Sequence, residues 1–271
     1  MMDLKTVPKA HAGLTDVAAI ELKSVRKTFG DVTTGIVALT DIDLALAPSE
    51  FVAVVGRSGC GKSTLLRLIA GLMPASSGHL LVNGRPVSGP DPGTGIVFQT
   101  PVLLPWRSVR RNIELQLEIR GIRQASGSAT VSELIALAGL SGFEDRLPHE
   151  LSGGMQQRVA LCRALIHNPD LLLMDEPFGA LDALTREQMN LELQRIWMET
   201  RKTVLFITHS LMEAVFLADR VVVMTPRPGR IREIVSIRIP RPRNFDTYKD
   251  PLFHAACDKV RGLMNANGLM E

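Results

Sequence analysis

Short apolar runs alternate along the chain with longer stretches in which apolar residues recur at helical spacing. Phe51–Val55, Leu171–Met174, Val204–Ile207 and Val221–Met224 are continuous apolar runs, typical of strands that are buried on both faces of a parallel sheet. Gly95–Phe98 is a further short strand of this kind. Helical stretches lie between these runs, and this alternation predicts an α/β fold with a parallel sheet.

Two parts of the chain depart from that alternation. Ile20–Phe29 and Ala38–Ala47 partly alternate apolar and polar residues, which predicts edge strands of an antiparallel pair. Residues 99–160 are helix-like at Val109–Ile119 and Val131–Ala138, with a Gly/Ser-rich loop between them. We therefore expect a helical insertion near the middle of the chain.

The pattern also divides the chain along its length. Residues 1–19 are expected to form a loosely held extension, 20–240 the main domain, and 241–271 a C-terminal helical tail. Ile231–Ile239 is predicted as a strand and Tyr248–Met264 as one amphipathic helix.

Composition narrows the class of protein. The 271 residues include 31 Lys and Arg and 28 Asp and Glu, which gives a net charge of +3. So small a positive charge provides little electrostatic attraction to nucleic acid. The chain contains no apolar run long enough to cross a bilayer and no apolar stretch typical of a secretory signal near its start. Three cysteines lie far apart and in no metal-binding spacing, so we expect a reducing cytosol and no disulfide framework.

A glycine-rich loop follows the apolar run Phe51–Val55 and matches the pattern G-x-x-x-x-G-K-[ST]. Its residues are Gly56, Arg57, Ser58, Gly59, Cys60, Gly61, Lys62, Ser63 and Thr64. Glycines let successive N–H groups point at phosphates, and the following helix adds positive potential at its N-terminus. Lys62 is placed to reach the β- and γ-phosphates and Ser63 to ligate Mg²⁺. The sequence therefore predicts a site for a nucleoside triphosphate with Mg²⁺.

Two adjacent carboxylates, Asp175 and Glu176, end the apolar run that begins at Leu171. Ligand groups in open α/β sheets lie at the carboxyl ends of strands. Asp175 is predicted to bind Mg²⁺, which prefers oxygen ligands, and Glu176 to orient or deprotonate an attacking water.

The segment Leu151–Arg158 resembles the signature motif of the ABC (ATP-binding cassette) ATPases. Ser152, Gly153 and Gly154 match the part of the motif that binds phosphate, and Met155 stands where the family usually has Gln. We expect phosphate binding to survive this departure, because the Ser and both Gly are kept.

Other motifs of that family follow in order. Gln99 resembles the glutamine that senses Mg²⁺ or the lytic water, and Asp182 ends a Gly-Ala-Leu-Asp segment like the family's D-loop at the dimer seam. His209, after the run Val204–Ile207, resembles the switch histidine that contacts the γ-phosphate, and Phe29 stands at the aromatic position that stacks on adenine.

The resemblance implies a fold and a set of partners. The fold is an α/β P-loop NTPase (RecA-like) core with an antiparallel β subdomain and an inserted α-helical subdomain. ATP would lie between the phosphate loop of one copy and Ser152–Gly154 of another, so a homodimer is implied. Two transmembrane permease subunits would supply the transport path at the cytoplasmic face of the cell membrane, and a substrate-binding protein would deliver the solute.

Two further segments, Leu103–Trp106 and Thr225–Ile231, resemble importers of the nitrate, sulfonate and taurine type. Trp106 would then lie near the groove for the membrane subunit, or else anchor its own loop. The alternatives are an exporter ATPase subunit, a soluble ABC-type ATPase acting on nucleic acid or the ribosome, and a plain P-loop kinase or GTPase. The last class does not need Ser152–Gly154 or His209.

Overall fold

The computed structural model describes residues 17–30, 35–122, 130–179 and 181–265. The strands are β1 Ile20–Phe29, β2 Ile36–Leu46, β3 Phe51–Val55, β4 Ser77–Val82, β5 Arg85–Pro86, β6 Thr94–Val97, β7 Leu171–Asp175, β8 Thr203–Ile207, β9 Arg220–Met224 and β10 Ile231–Ser236. The helices are α1 Lys62–Ile69, α2 Val109–Arg120, α3 Val131–Leu137, α4 Gly153–Leu165, α5 Ala183–Thr200, α6 Leu211–Leu217 and α7 Pro251–Asn265.

The larger sheet has the strand order β10-β9-β3-β8-β7-β6. Its strands are parallel except β10, which pairs with β9 in the antiparallel sense. Every residue of β3 is buried, as the continuous apolar run predicts for a strand covered on both faces. The carboxyl ends of β3, β7 and β8 therefore meet at one edge of the sheet, where the candidate site lies.

The smaller sheet is antiparallel, with the order β2-β1-β4-β5. The prediction of an antiparallel pair is confirmed, but β1 is wrong as an edge strand, because it pairs with β2 on one side and with β4 on the other. Alternation reports which face of a strand is buried and says nothing about how many neighbours the strand has. Strands β4 and β5 are mostly exposed, and the apolar pattern did not predict them.

Two hydrophobic cores lie on opposite faces of the larger sheet. Phe51, Ala53 and Val55 of β3 point into one core, with the helices that follow β6 and β7. Val52 and Val54 point into the other, with α1 and the smaller sheet. Because alternate residues of β3 face opposite cores, α1 packs on the face of the larger sheet that also meets the smaller sheet.

Helices α2, α3 and α4 lie between β6 and β7, within the region expected to be a helical insertion. The helices predicted at Val109–Ile119 and Val131–Ala138 are confirmed to within one residue at their ends. The Gly/Ser-rich loop between them falls in 123–129, outside the described residues, as does most of the expected N-terminal extension. The division into domains stays a prediction.

The C-terminal part differs from the prediction in two places. The expected single helix begins only at Pro251, and Phe245–Lys249 forms a separate 3₁₀ helix. Proline has no N–H to donate and forces the preceding residue out of helical conformation, so it can only begin a helix here. Strand β10 ends at Ser236, three residues early, because its partner β9 begins at the paired residue Arg220. Among the described helices, none has the length and apolarity needed to span a membrane.

Candidate nucleotide-binding site

The glycine-rich loop joins β3 to α1, and α1 begins at Lys62. Residues 57–59 are exposed at the top of the loop, and a Cβ at Gly59 would meet open space. Gly61 has a φ of +103°, and a Cβ there would lie 2.6 Å from Leu39 Cδ2. This position therefore requires glycine for both conformation and space.

Lys62 bends back over the loop. Its side chain is almost fully buried, and its Nζ donates to the carbonyl oxygens of Gly56 at 2.9 Å and Arg57 at 3.4 Å. The Cys60 side chain lies under Gly56, and burial raises the pKa of its thiol. Cys60 therefore packs the loop from below, while the ammonium of Lys62 is held at its rim.

Ser63 and Asp175 meet behind the loop. The Ser63 hydroxyl donates to Asp175 Oδ1 at 3.0 Å, which joins the first turn of α1 to the end of β7. Burial raises the pKa of Asp175, and the hydrogen bond from Ser63 opposes that shift. A hydroxyl and a carboxylate next to a phosphate loop are a donor set suited to Mg²⁺, which commonly takes one or two carboxylates and completes its shell with substrate phosphates and water. Thr64 lies half-buried in the same turn.

Glu176 lies between Lys62 and His209. Its Oε2 is 3.1 Å from His209 Nδ1, and its Oε1 is 4.0 Å from Lys62 Nζ. Glu176 has a φ of +46°, a conformation that non-glycine residues rarely adopt and that concentrates at functional sites. Its backbone N–H is held by Ile207 O of β8 at 2.9 Å. The sheet therefore maintains this strained residue.

Gln99 reaches the same place from the end of β6. A Cβ at Gly179 would lie 3.5 Å from Gln99 Nε2 and 3.7 Å from His209 Cε1. The structure therefore brings together the three residues predicted to be catalytic, Gln99, Glu176 and His209.

The signature segment and the D-loop lie together elsewhere. Ser152 caps α4, and its hydroxyl oxygen accepts from Met155 N at 3.3 Å. Asp182 caps α5 by accepting from Thr185 N at 3.0 Å, and this backbone bond lowers the pKa of its carboxyl. A Cβ at Gly154 would lie 2.9 Å from Thr185 Cγ2, so the two caps are neighbours.

Ser152, Gly153 and Asp182 are exposed. Among the contacts that the described residues show, those of 152–154 are with α4, α5 and Leu181 rather than with the phosphate loop. Ala180 of the D-loop lies outside the described residues. Phe29 ends β1 with its side chain 43% exposed, and Lys27 Nζ lies 5.2 Å from the centre of its ring.

Sequence reasoning missed the turn that supports the loop from outside. Gly229 pairs with β2 on either side of Leu39. Its N–H donates to Ala38 O at 2.9 Å, and its carbonyl accepts from Thr40 N at 3.0 Å. A Cβ on Gly229 would overlap the carbonyl oxygen of Cys60. The segment Thr225–Ile231 is thus more than a turn before β10, since it locks β2 against the phosphate loop.

Sequence reasoning also missed Arg186 and Glu213. Glu213 is buried, Thr208 donates its hydroxyl to it, and Arg186 Nε lies 3.3 Å from its Oε1. The spacing from Ser210 to Glu213 matches a capping box, which was the available signal in the sequence. That pattern predicts a helix start and gives no hint of the long-range pair.

The sequence of this chain is similar to those of known ATP-binding proteins. A family model described as ABC transporter matches residues 39–179. A taurine import ATP-binding protein of Rhizobium johnstonii is 52% identical over 194 residues, 72% of this chain and 74% of the relative. A nitrate import ATP-binding protein of Synechocystis is 42% identical over 258 residues, 93% of this chain and 97% of the relative.

A solved ATP-binding cassette, dimeric and in a post-hydrolysis state with ADP and Pi, matches with a TM-score of 0.69 and 31% identity, covering 82% of this chain and all of that one. The predicted P-loop NTPase fold class is confirmed by this likeness and by the two sheets and their helices. The resemblance predicted from the motifs is confirmed as well, and the chain belongs to the ABC transporter family as an ATP-binding subunit that hydrolyses ATP.

Proposed function

We propose that this chain powers an importer for a small anionic solute, such as an aliphatic sulfonate, taurine or nitrate. The observation that carries the proposal is the meeting of Lys62, Ser63, Asp175, Glu176 and His209 at one edge of the larger sheet. The names of the taurine and nitrate import relatives support the solute class.

In this proposal the phosphate loop binds ATP through its N–H groups and Lys62. Ser63, Asp175 and Gln99 are the residues that would hold Mg²⁺. Bound Mg²⁺ neutralises charge on the phosphate oxygens. Glu176 accepts a proton from the attacking water, and His209 orients the Glu176 carboxylate through the 3.1 Å contact and faces the γ-phosphate.

The second half of the site comes from another copy. Ser152 and Gly153 are exposed at the start of α4, where free N–H groups and the helix dipole favour a phosphate. We propose a head-to-tail homodimer in which these residues close on ATP held by the partner's phosphate loop, with Asp182 at the seam. The dimeric state of the solved cassette supports this arrangement. Phe29 is exposed enough for its ring to stack on adenine.

The membrane partner is proposed to dock beside Gln99. Phe98, Val102 and Trp106 are close together along the chain and are 40%, 58% and 73% exposed. Exposed apolar side chains that lie together are typical of surfaces that bind another protein. Asn112 holds this loop by hydrogen bonds to Leu104, and the exposure of Trp106 supports the alternative in which its ring meets the membrane subunit. We propose two transmembrane permease subunits here, at the cytoplasmic face of the cell membrane. A substrate-binding protein would contribute indirectly, and we propose no nucleic-acid partner.

Replacing Lys62 with Ala tests the nucleotide site. We expect ATP affinity to fall about tenfold to a hundredfold, because a charge-assisted hydrogen bond contributes roughly 1.5–3 kcal/mol. Binding is measured by titration calorimetry, with Lys259→Ala, which breaks the exposed ion pair to Glu233, as the matched control. Undiminished binding in Lys62→Ala would contradict the phosphate-loop role.

The same substitution tests the transport role in the host cell. We expect chromosomal Lys62→Ala to abolish uptake of radiolabelled taurine or alkanesulfonate while Lys259→Ala leaves uptake intact. If sulfonate uptake is untouched, nitrate uptake is measured next, and loss of neither would reject the proposed solute class. Efflux lost in place of uptake would favour the exporter alternative.

Replacing Gly229 with Ala should weaken ATP binding from outside the loop. The added methyl group would overlap the Cys60 carbonyl, so the loop must shift, and we expect affinity to fall about tenfold, as for overpacking that costs roughly 1–3 kcal/mol. Gly262→Ala in α7 meets open space and is the control, expected to keep affinity and to stabilise the helix by about 0.5–1 kcal/mol. Wild-type affinity in Gly229→Ala would show that the turn does not position the loop.

A further inference from the structure

A buried chain of polar contacts joins two loops of the site. The Glu213 side chain on α6 is only 5% exposed, and its two carboxylate oxygens contact different residues. One lies 3.3 Å from Arg186 Nε on α5, and the other accepts the hydroxyl of Thr208.

The Thr208 end of this chain fixes the backbone around His209. The Thr208 hydroxyl oxygen accepts from Ser210 N at 3.0 Å, a bond that spans His209. The backbone N–H of Thr208 donates to Val54 O of β3 at 3.2 Å. With Thr208 tied to β3 and to Glu213, the backbone that carries His209 is held in place beside Glu176.

The Arg186 end fixes the segment that precedes Asp182. Arg186 donates to Leu181 O at 2.7 Å and to Phe178 O at 3.4 Å. Gly179 N in turn donates to Glu176 O at 3.1 Å. The guanidinium therefore holds Phe178 and Leu181, which lie between Glu176 and Asp182 along the chain.

The Glu213 carboxylate does not make the contact that its place in α6 would ordinarily give it. Glu213 stands at the third residue of a helix capped by Ser210, where a carboxylate ordinarily reaches back to the cap N–H. Here Thr208 takes that N–H, and the carboxylate turns to Arg186 instead. A buried ion pair is often no more stabilising than apolar residues of the same volume, because both charges lose their hydration. Burial raises the pKa of Glu213, whereas Thr208, Arg186 and His209 oppose that shift and Glu176 adds to it.

We propose that Glu213 and Arg186 are positioning residues that hold the His209 loop in register with the segment carrying Glu176 and Asp182. A movement at the dimer seam would then reach His209 through one rigid link. The proposal rests on the proposed roles of His209 and Asp182 in ATP hydrolysis.

The test compares Glu213→Gln, Arg186→Met and the double variant in the full chain. We expect kcat for ATP hydrolysis to fall about tenfold to a hundredfold, as for a mispositioned catalytic group, with KM within about twofold of wild type. The double variant should be no worse than Arg186→Met alone, because both changes break the same link. Glu199→Gln, which breaks an exposed ion pair on the same helix α5, is the matched control and should keep the wild-type kcat.

Thr208→Val, which removes only the hydroxyl, keeps the test decisive if the charge variants fold poorly, and it should show the same loss of kcat. One ATP bound per chain, measured by calorimetry, shows that a loss is not due to an unfolded fraction. Wild-type kcat in folded Arg186→Met or Thr208→Val would overturn the proposal. So would a fall in kcat that matches a fall in ATP stoichiometry. If Lys62→Ala keeps both the ATP affinity and the kcat of wild type, the proposed nucleotide site fails instead.

Discussion

Replacement of Glu176 with Gln is expected to lower kcat for ATP hydrolysis by about 10²- to 10⁴-fold, the contribution of a positioned general base. Gln has the size of Glu but cannot take a proton from water at neutral pH. Its side-chain oxygen can still face His209 Nδ1, so the arrangement now seen at 3.1 Å can persist.

The Glu176→Gln protein should still bind ATP, and the bound ATP should stabilise the dimer. Glu176 carries a negative charge near the place where the triphosphate would lie, and Gln removes the repulsion between them while leaving Lys62 in place. A dimer closed on ATP then has no chemical step that reopens it. We expect the Glu176→Gln protein to sediment as a dimer in saturating ATP and as a monomer without nucleotide.

Analytical ultracentrifugation and a phosphate-release assay measure the two halves of this prediction. Glu199→Gln, an exposed change of the same type, should hydrolyse ATP like wild type. Retention of more than a tenth of wild-type turnover would show that Glu176 is not the base. A Glu176→Gln protein that stays monomeric in ATP would contradict the proposed head-to-tail dimer.

The parts of the site that the sequence predicts are those that are continuous along the chain. The phosphate loop and the strand that ends in Asp175 and Glu176 are local patterns, and the sheet topology alone then places Ser63 beside Asp175. The contact of Gly229 with Cys60 joins residues far apart in sequence, and neither residue type predicts such a contact. The same holds for Arg186 and Glu213. Such contacts depend on how the two sheets and α5 and α6 pack, which no local pattern encodes.

The C-terminal segment shows the same limit for the core. Residues 240–244, Pro-Arg-Pro-Arg-Asn, are of the types usually found at the surface. Arg243 is nevertheless only 2% exposed. Burial, together with the neighbouring charge of Arg241, lowers the pKa of Arg243 to about 10, so it stays charged at neutral pH.

The Arg243 guanidinium takes the place of a helix cap. It donates to Val215 O and Phe216 O at 2.8 Å and to Ala218 O at 3.0 Å, the carbonyls at the end of α6, and also to Ile239 O at 2.9 Å. The last carbonyls of a helix have no partner within the helix. Gln194 of α5 holds the backbone of Arg243 from the other side, accepting from its N–H and donating to its carbonyl.

Replacing Arg243 with Met should therefore destabilise the fold by roughly 3–5 kcal/mol, since several buried carbonyls lose their donor at about 1–3 kcal/mol each and Met restores only the apolar part of the volume. At about 2–4 °C per kcal/mol, the thermal midpoint should fall by roughly 10 °C. Arg238→Met, in the same segment but at an exposed position, is the matched control and should shift the midpoint little. Because Arg243 holds the helix that carries Glu213, kcat should fall along with the midpoint. An unchanged midpoint in Arg243→Met would mean that water replaces the guanidinium at these carbonyls, and that α6 does not depend on the C-terminal segment.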